Sequence, residues 1–433
     1  MTSATGQNDF KRFTYSKTCI VGFGFLGISI IWPIFNQYIP LFLQAGNPEF
    51  AAQLIAEGRE VPQVRGFGLG PTLALFIMTW DNLINIFIQP WVGAKSDRTW
   101  NRFGRRKPWI LLGMPIAFIG FVLIPFAQTA LALAAFILIT NLGMALFRSP
   151  TVAWLGDLFE VNDRSKANGI INLMGGVGGL LAFFGGGLLY ENFGREAPFI
   201  AGGILLVVAA LVAVWRVKEP RHIELDEEDR GGSVLTNLKT LFGSQDKSGV
   251  FVLVSILFWF MAYNALEAGL SSFAVFTLGV SPGMASIYAG SITISFILFA
   301  IPAGLLGTKY GRRNIILVGL TGLVLLLLAG FFVIQGAITF VIVLVLLGFF
   351  WACVNVNSLP LVYDYGDERN IGAYTGLYYF SSQLAAVLGP TLGGAMVESL
   401  SNQYRWLFLF STIFMAFAWV TMTRVRAKRP VES

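Results

Sequence analysis

The sequence predicts an all-α membrane protein of twelve transmembrane helices, built as two six-helix repeats with both termini cytoplasmic. Three observations predict it. First, 55% of the 433 residues are hydrophobic and only 12% are charged, about half the charged share of a soluble domain. The mean hydropathy is +0.68. Second, twelve runs reach the roughly 20 mostly apolar residues that a spanning helix needs. Third, a shift of 207 residues superposes polar and glycine-rich islands of one half on those of the other.

The runs follow in order. Span one, 18–42, contains Pro33 and Pro40, which membrane helices tolerate. Span two, 70–94, holds Asp81, Asn85 and Gln89 at intervals of four, hence on one helical face. Span three, 108–127, follows a basic loop. Span four, 131–156, carries Asn141, Arg148 and Pro150. Span five, 167–190, is rich in glycine, from Gly175 to Gly187, as is span eleven around Gly389 and Gly393; such residues allow close helix approach. Span six is 197–217. The polar stretch Lys218–Ser248 reads as a cytoplasmic linker between an N-terminal half, 1–217, and a C-terminal half, 249–433. Span seven, 249–278, holds Tyr263, Asn264 and Glu267. Spans eight, 285–307, and nine, 314–335, carry no charged residue. Span ten, 338–362, carries Asn355 and Asn357; span eleven, 371–397, carries Tyr378 and Gln383; span twelve is 404–423.

The repeat places Gly104-Arg105-Arg106 on Gly311-Arg312-Arg313, Asp157 on Asp364, Gly169 on Gly376 and Gly186-Gly187 on Gly393-Gly394. Parallel repeats of this kind put a substrate near the bilayer midplane. Of the 30 Lys and Arg residues, 25 lie on the side of the N-terminus and four, Arg59, Arg65, Arg195 and Arg405, lie opposite. That bias sets both termini in the cytoplasm. It also explains the net charge of +6 without nucleic acid, for which there is no binding motif. Cys19 and Cys353 are far apart and imply no disulfide framework, and the lone His222 falls in the charged linker. Met1–Thr18 is polar and basic, and the run after it is too long for the core of a signal peptide. Neither a nucleophile–base set nor a phosphate loop is present, so an enzyme is not expected, and no cofactor or metal is called for.

Asp81, Arg148 and Glu267 stand in otherwise apolar runs. A charge at that depth costs at least about 2.5 kcal/mol and commonly faces a water-filled path. These three are therefore the candidates for ion coupling, and the chain is expected to be a transporter. The alternative for Asp81 is a permanent ion pair that fixes helix packing. For Glu267 it is a pair with Arg148 that closes the bundle. Around the loop at 95–107, Asp97, Arg98, Arg105 and Arg106, with Asp157, Arg164, Arg312 and Asp364, form a candidate cytoplasmic gate, since carboxylates and guanidinium groups lock by charge-assisted hydrogen bonds. Arg369 is a further partner candidate. For Arg105 and Arg106, orientation by positive charge alone is the competing reading.

Gly93-Ala94-Lys95-Ser96-Asp97-Arg98 followed by Arg102-Phe103-Gly104-Arg105-Arg106 resembles the loop motif of the major facilitator superfamily. The longer string Gln89 to Pro108, with Ala153-Trp154-Leu155-Gly156-Asp157 and Arg164 to Gly169, is similar to the sucrose/proton symporters and the related glycoside–pentoside–hexuronide cation symporters. The resemblance implies a carrier that alternates its access by rocking two halves, and symport of a disaccharide or glucoside. Aligned on Pro90 and Gly93, the cation-binding acids of melibiose-type carriers fall at Asn85 and Gln89, both neutral here. That departure favours protons over sodium, because one carboxylate that alternates between charged and neutral suffices. Where plant sucrose carriers have an Arg, this chain has Val152, and its own Arg148 lies one turn earlier.

A sugar needs hydroxyl partners and flat apolar faces. Asn36, Gln37, Asn85, Gln89, Asn141, Tyr263, Asn264, Asn355, Asn357, Tyr378 and Gln383 are the polar candidates, with Trp80 as a ring platform. The protein is expected as a monomer, multi-pass in the cell membrane, with a small sugar and the lipid bilayer as its partners. An exporter or uniporter of another solute, and a non-transporting membrane sensor, are the rival readings.

Overall fold

Fifteen α-helices account for most of the described residues; an α-helix pairs its backbone groups within its own segment, as lipid requires. The computed structural model describes residues 13–219, 247–364 and 371–426. In chain order the helices are α1 (Tyr15–Gln44), α2 (Pro48–Ala56), α3 (Pro71–Ile77), α4 (Trp80–Asp97), α5 (Lys107–Leu123), α6 (Ala130–Leu158), α7 (Val161–Leu180), α8 (Gly186–Phe193), α9 (Ala197–Arg216), α10 (Ser248–Phe276), α11 (Pro282–Tyr310), α12 (Arg312–Val333), α13 (Ala337–Asp364), α14 (Ile371–Ser399) and α15 (Trp406–Thr423). Among the described residues, eleven stretches are long and apolar enough to cross a membrane. The eleventh expected span forms the 29-residue helix α14 but is not one of those eleven. Most of the expected linker, with His222, and Arg369 lie outside the described residues.

Local sequence sets the helix starts. Pro48, Pro71 and Pro282 each open a helix at its first position, where the missing N–H has no partner to lose. Asn47 and Thr129 cap α2 and α6, accepting hydrogen bonds from Glu49 N (3.1 Å) and Ala132 N (3.1 Å).

Two spans are not continuous. Span two breaks at Met78 and Thr79, where the Thr79 hydroxyl donates to Phe76 O at 2.8 Å. Asp81 therefore lies in the first turn of α4. Span five is interrupted by the π-helical turn Leu181–Gly185 between α7 and α8. Broken helices and π-turns in membrane proteins concentrate at binding and moving parts.

The chain resolves into two compact units. The first takes the described parts of 1–42 and 80–225 together with 282–287; the second takes those of 43–79, 226–281 and 288–433. Two segments thus lie apart from the rest of their sequence half: 43–79 packs with the second unit, and the start of α11 packs with the first.

Within the first unit, α5 and α6 approach closely: a Cβ on Gly113 would stand 2.6 Å from Phe147 N. In span five the glycines divide. Gly178 sits against Leu26 O, whereas Gly179 and Gly185 have nothing within 4 Å of a built Cβ. For those two, the expected close contact is not met among the described residues.

Candidate functional site

Span two brings its polar face together in the first unit. Asp81 is half-buried and accepts a hydrogen bond from Asn82 Nδ2 at 2.9 Å. It also lies within electrostatic reach of Arg148 on α6. Position in the first turn of α4 adds the positive end of the helix dipole, which favours a carboxylate. Asp81 and Arg148 are thus brought together, while Glu267 belongs to the second unit. Arg148 is exposed on its helix although the neighbouring Ala145, Leu146 and Phe147 are buried. Asn85 is buried; Trp80 and Gln89 are half-buried. The Gln89 carbonyl accepts from Ser149 Oγ at 3.2 Å, tying α4 to α6 beside the charges.

Two buried amides in the same unit stand out. Asn141 is 1% exposed, and neither its Oδ1 nor its Nδ2 has a protein partner among the described residues. Gln37 on α1 is buried with Oε1 equally unpartnered, and Asn36 beside it is half-buried. Leaving such groups unsatisfied costs about 1–3 kcal/mol each, so sites like these take water or a polar ligand.

In the second unit, Glu267 is half-buried on α10, one turn after Tyr263 and within electrostatic reach of it. Tyr263 stacks on Trp351 of α13, ring centroids 4.0 Å apart and planes within 6°. Phe260 meets both Trp351 and Tyr378 edge-on. The result is an aromatic wall next to a carboxylate. Tyr378 exchanges a hydrogen bond with Ser358 (3.1 Å), and Gln383 has its buried Oε1 unpartnered among the described residues. Asn264 donates to Phe260 O of its own helix at 2.7 Å, and Asn355 is half-buried. Asn357 differs from the expectation of a substrate contact. Its Nδ2 donates to Ala303 O (3.1 Å) and to Cys353 O (3.0 Å), so it clamps α13 to α11 against Gly307.

At the far end of α4 the gate candidates fall into two separate groups. Asp157 accepts from Arg105 and from Arg106 Nε (2.8 Å), while Asp97 pairs with Arg106 at 2.5 Å and with Arg105 at 4.0 Å. Burial disfavours the charge on Arg106, but the hydrogen bonds and charge of Asp157, then Asp97, outweigh it and raise its pKa. Arg106 also donates to Ser96 Oγ. Sequence reasoning missed Glu219. Its carboxylate accepts from the backbone N–H groups of Arg105, Arg106 (3.0 Å) and Lys107 (3.0 Å) and from Trp154 Nε1 (2.9 Å), capping α5. Arg164 does not pair with Asp157; it donates to Gly156 O (3.1 Å) and Phe159 O (3.3 Å) at the end of α6. Arg98 is exposed. In the second unit Arg312 pairs with Asp364, and Arg313 donates to Thr423 O at 3.0 Å.

Comparison with known proteins agrees with this architecture. The family model of the Major Facilitator Superfamily matches residues 18–294 and 270–433. The chain is 24% identical over 405 residues to multidrug resistance protein 2 of Bacillus subtilis (strain 168), covering 89% of this chain and 88% of that one. It is 24% identical over 195 residues to sucrose transport protein SUC3 of Arabidopsis thaliana, covering 36% of this chain and 33% of the relative. Among solved structures, a mutant of the nucleoside transporter NupG matches with a TM-score of 0.70 at 14% identity, over 94% of this chain and all of that one.

Proposed function

Because the chain belongs to the Major Facilitator Superfamily and is a membrane transporter of that fold, we propose that it moves a sugar, a disaccharide or glucoside, together with a proton by alternating access. The observation that carries this reading is Asp81: a carboxylate in mid-span, at the first turn of a broken helix, within electrostatic reach of Arg148. Protonation of Asp81 removes its attraction for Arg148 and leaves the guanidinium fork able to bind hydroxyls. Glu267 beside the Tyr263–Trp351 stack is the second proton carrier, and the stack supplies the flat face that a pyranose ring needs. Asn141 and Gln37 supply amide contacts to hydroxyls. In this reading both termini are cytoplasmic, the Asp97 and Asp157 cluster is part of the cytoplasmic gate, and the protein works as a monomer in the cell membrane.

Uptake into vesicles with an imposed pH or sodium gradient, across a panel of mono- and disaccharides, tests it. Concentrative uptake of a sugar driven by the pH gradient is expected. Asp81→Asn should abolish uphill uptake while sparing exchange; unchanged concentrative uptake would remove Asp81 from the mechanism.

A second reading is favoured by the same aromatic wall. Stacked rings beside a carboxylate also suit an organic cation, and relatives named for multidrug resistance and for synaptic vesicular amine transport are among the matches. In that case the vesicles would exchange an aromatic amine for protons and ignore the sugars.

A further inference from the structure

We propose that Glu191 and Glu398 are a matched pair of latches, each clasping the first turn of a helix from the opposite sequence half, and that both release when the carrier changes state. The two residues are related by the same 207-residue offset that relates the repeats, as are Gly187 and Gly394 one turn earlier. Their surroundings are related too. In the first unit, Glu191 at the end of α8 accepts a hydrogen bond from Met284 N at 3.2 Å, at the start of α11. In the second unit, Glu398 at the end of α14 accepts from Thr72 N at 2.9 Å, at the start of α3.

Each clasped helix opens with a proline, Pro282 or Pro71. Each is also approached by a glycine backbone. A Cβ on Gly187 would stand 2.6 Å from Gly283 O, and one on Gly394 would stand 2.7 Å from Pro71 O. The glycines bring the backbones together, and the carboxylates meet exposed N–H groups at the positive end of each helix dipole.

Both glutamates are exposed, unlike buried Arg105 and Arg106 at the other end of α4. Water can replace the helix N–H groups, so the bonds are suited to breaking and reforming. The pair is not fully symmetric. Near Glu398, Asn402 donates to Glu49, Gln44 donates to Ser272 at 3.0 Å, and Tyr404 donates to Gln44. Among the described residues, the comparable bond near Glu191 is that of Ser286 Oγ to Phe183 O at 3.0 Å. The Glu191 latch is therefore the weaker one.

The inference rests on the chain being a transporter and not on which substrate it carries, so its test needs no substrate. In a Cys19→Ser background, buried reporters are placed in the first turn of each clasped helix, Ala285→Cys and Ala74→Cys, and labelled with a membrane-impermeant methanethiosulfonate. Glu191→Gln should speed labelling of the Ala285 reporter roughly fivefold, Glu398→Gln should speed the Ala74 reporter roughly twofold, and the double variant should speed both roughly tenfold. If the glutamine pair does not fold, Glu191→Asp with Glu398→Asp keeps the charge, shortens the arm and should give roughly threefold. Labelling rates unchanged from the background in the folded pair overturn the proposal. Failure of sugar uptake would overturn the sugar reading and leave these rates as they are.

Discussion

The two ends of the repeat carry the same motif and build different things with it. Gly104-Arg105-Arg106 with Asp157, and Gly311-Arg312-Arg313 with Asp364, occupy equivalent places in the two halves. In the first, the side chains of Arg105, Arg106 and Asp157 are 3%, 5% and 11% exposed. Asp97 pairs with both arginines, and Glu219 caps the next helix. In the second, Arg312 and Asp364 are each 35% exposed, and Arg313 turns away to the carbonyl of Thr423. The motif supplies the charges, but its neighbours decide whether they are buried. Screening by water keeps an exposed pair weak, whereas a buried network strongly penalises the loss of any one member.

The sharpest way to break the comparison is to remove the acid from each. Asp157→Ala takes the buried acid from two buried guanidinium groups and leaves them the half-exposed Asp97; it should destabilise the protein by about 3 kcal/mol, read as thermal unfolding in detergent. A loss below about 1 kcal/mol would mean that the burial does not matter energetically.

The paired glycines sharpen it further. Gly104 and Gly311 both have positive φ, +118° and +90°, where a side chain costs about 1–2 kcal/mol. At Gly104 a Cβ would also meet the Glu219 carboxylate, with Cδ at 2.9 Å, while at Gly311 the nearest atom is Asn314 Nδ2 at 3.7 Å. Gly104→Ala should therefore cost about 2–3 kcal/mol, because strain and a displaced cap add. Gly311→Ala should cost about 1–2 kcal/mol, from strain alone. Equal losses in the same unfolding assay would show that Glu219 adds nothing to the first cluster.

Much of this cluster was legible in the sequence. Asp97, Arg105, Arg106 and Asp157 are polar islands between apolar runs, and the repeat doubles the signal. Glu219 was not legible: it follows span six in a charged stretch that reads as linker, and only the fold carries it back to α5. Asn357 misled for a related reason. A buried amide in a span reads as a ligand contact, and its true partners, the carbonyls of Ala303 and Cys353, include one from another helix. The break before Asp81 has no Gly or Pro at Met78 or Thr79 to announce it. Asn141 lies two turns from Arg148 by helix spacing, yet it is buried where Arg148 is exposed, a difference that spacing alone does not carry.

The smallest effect is expected at the second cluster. Asp364→Asn keeps the size and one acceptor oxygen and removes the charge facing Arg312. Because both partners are about one-third exposed, water takes over much of what the carboxylate did, and the loss should be about 0–1 kcal/mol. Raising the salt concentration should shrink the difference between wild type and variant, since screening already weakens an exposed pair. The same substitution at Asp157 should keep a large penalty at high salt, because its partners are buried. If Asp364→Asn proved as damaging as its counterpart, the second pair would have to be closed off from water in the working state of the protein. Burial would then belong to the motif itself and not to its neighbours.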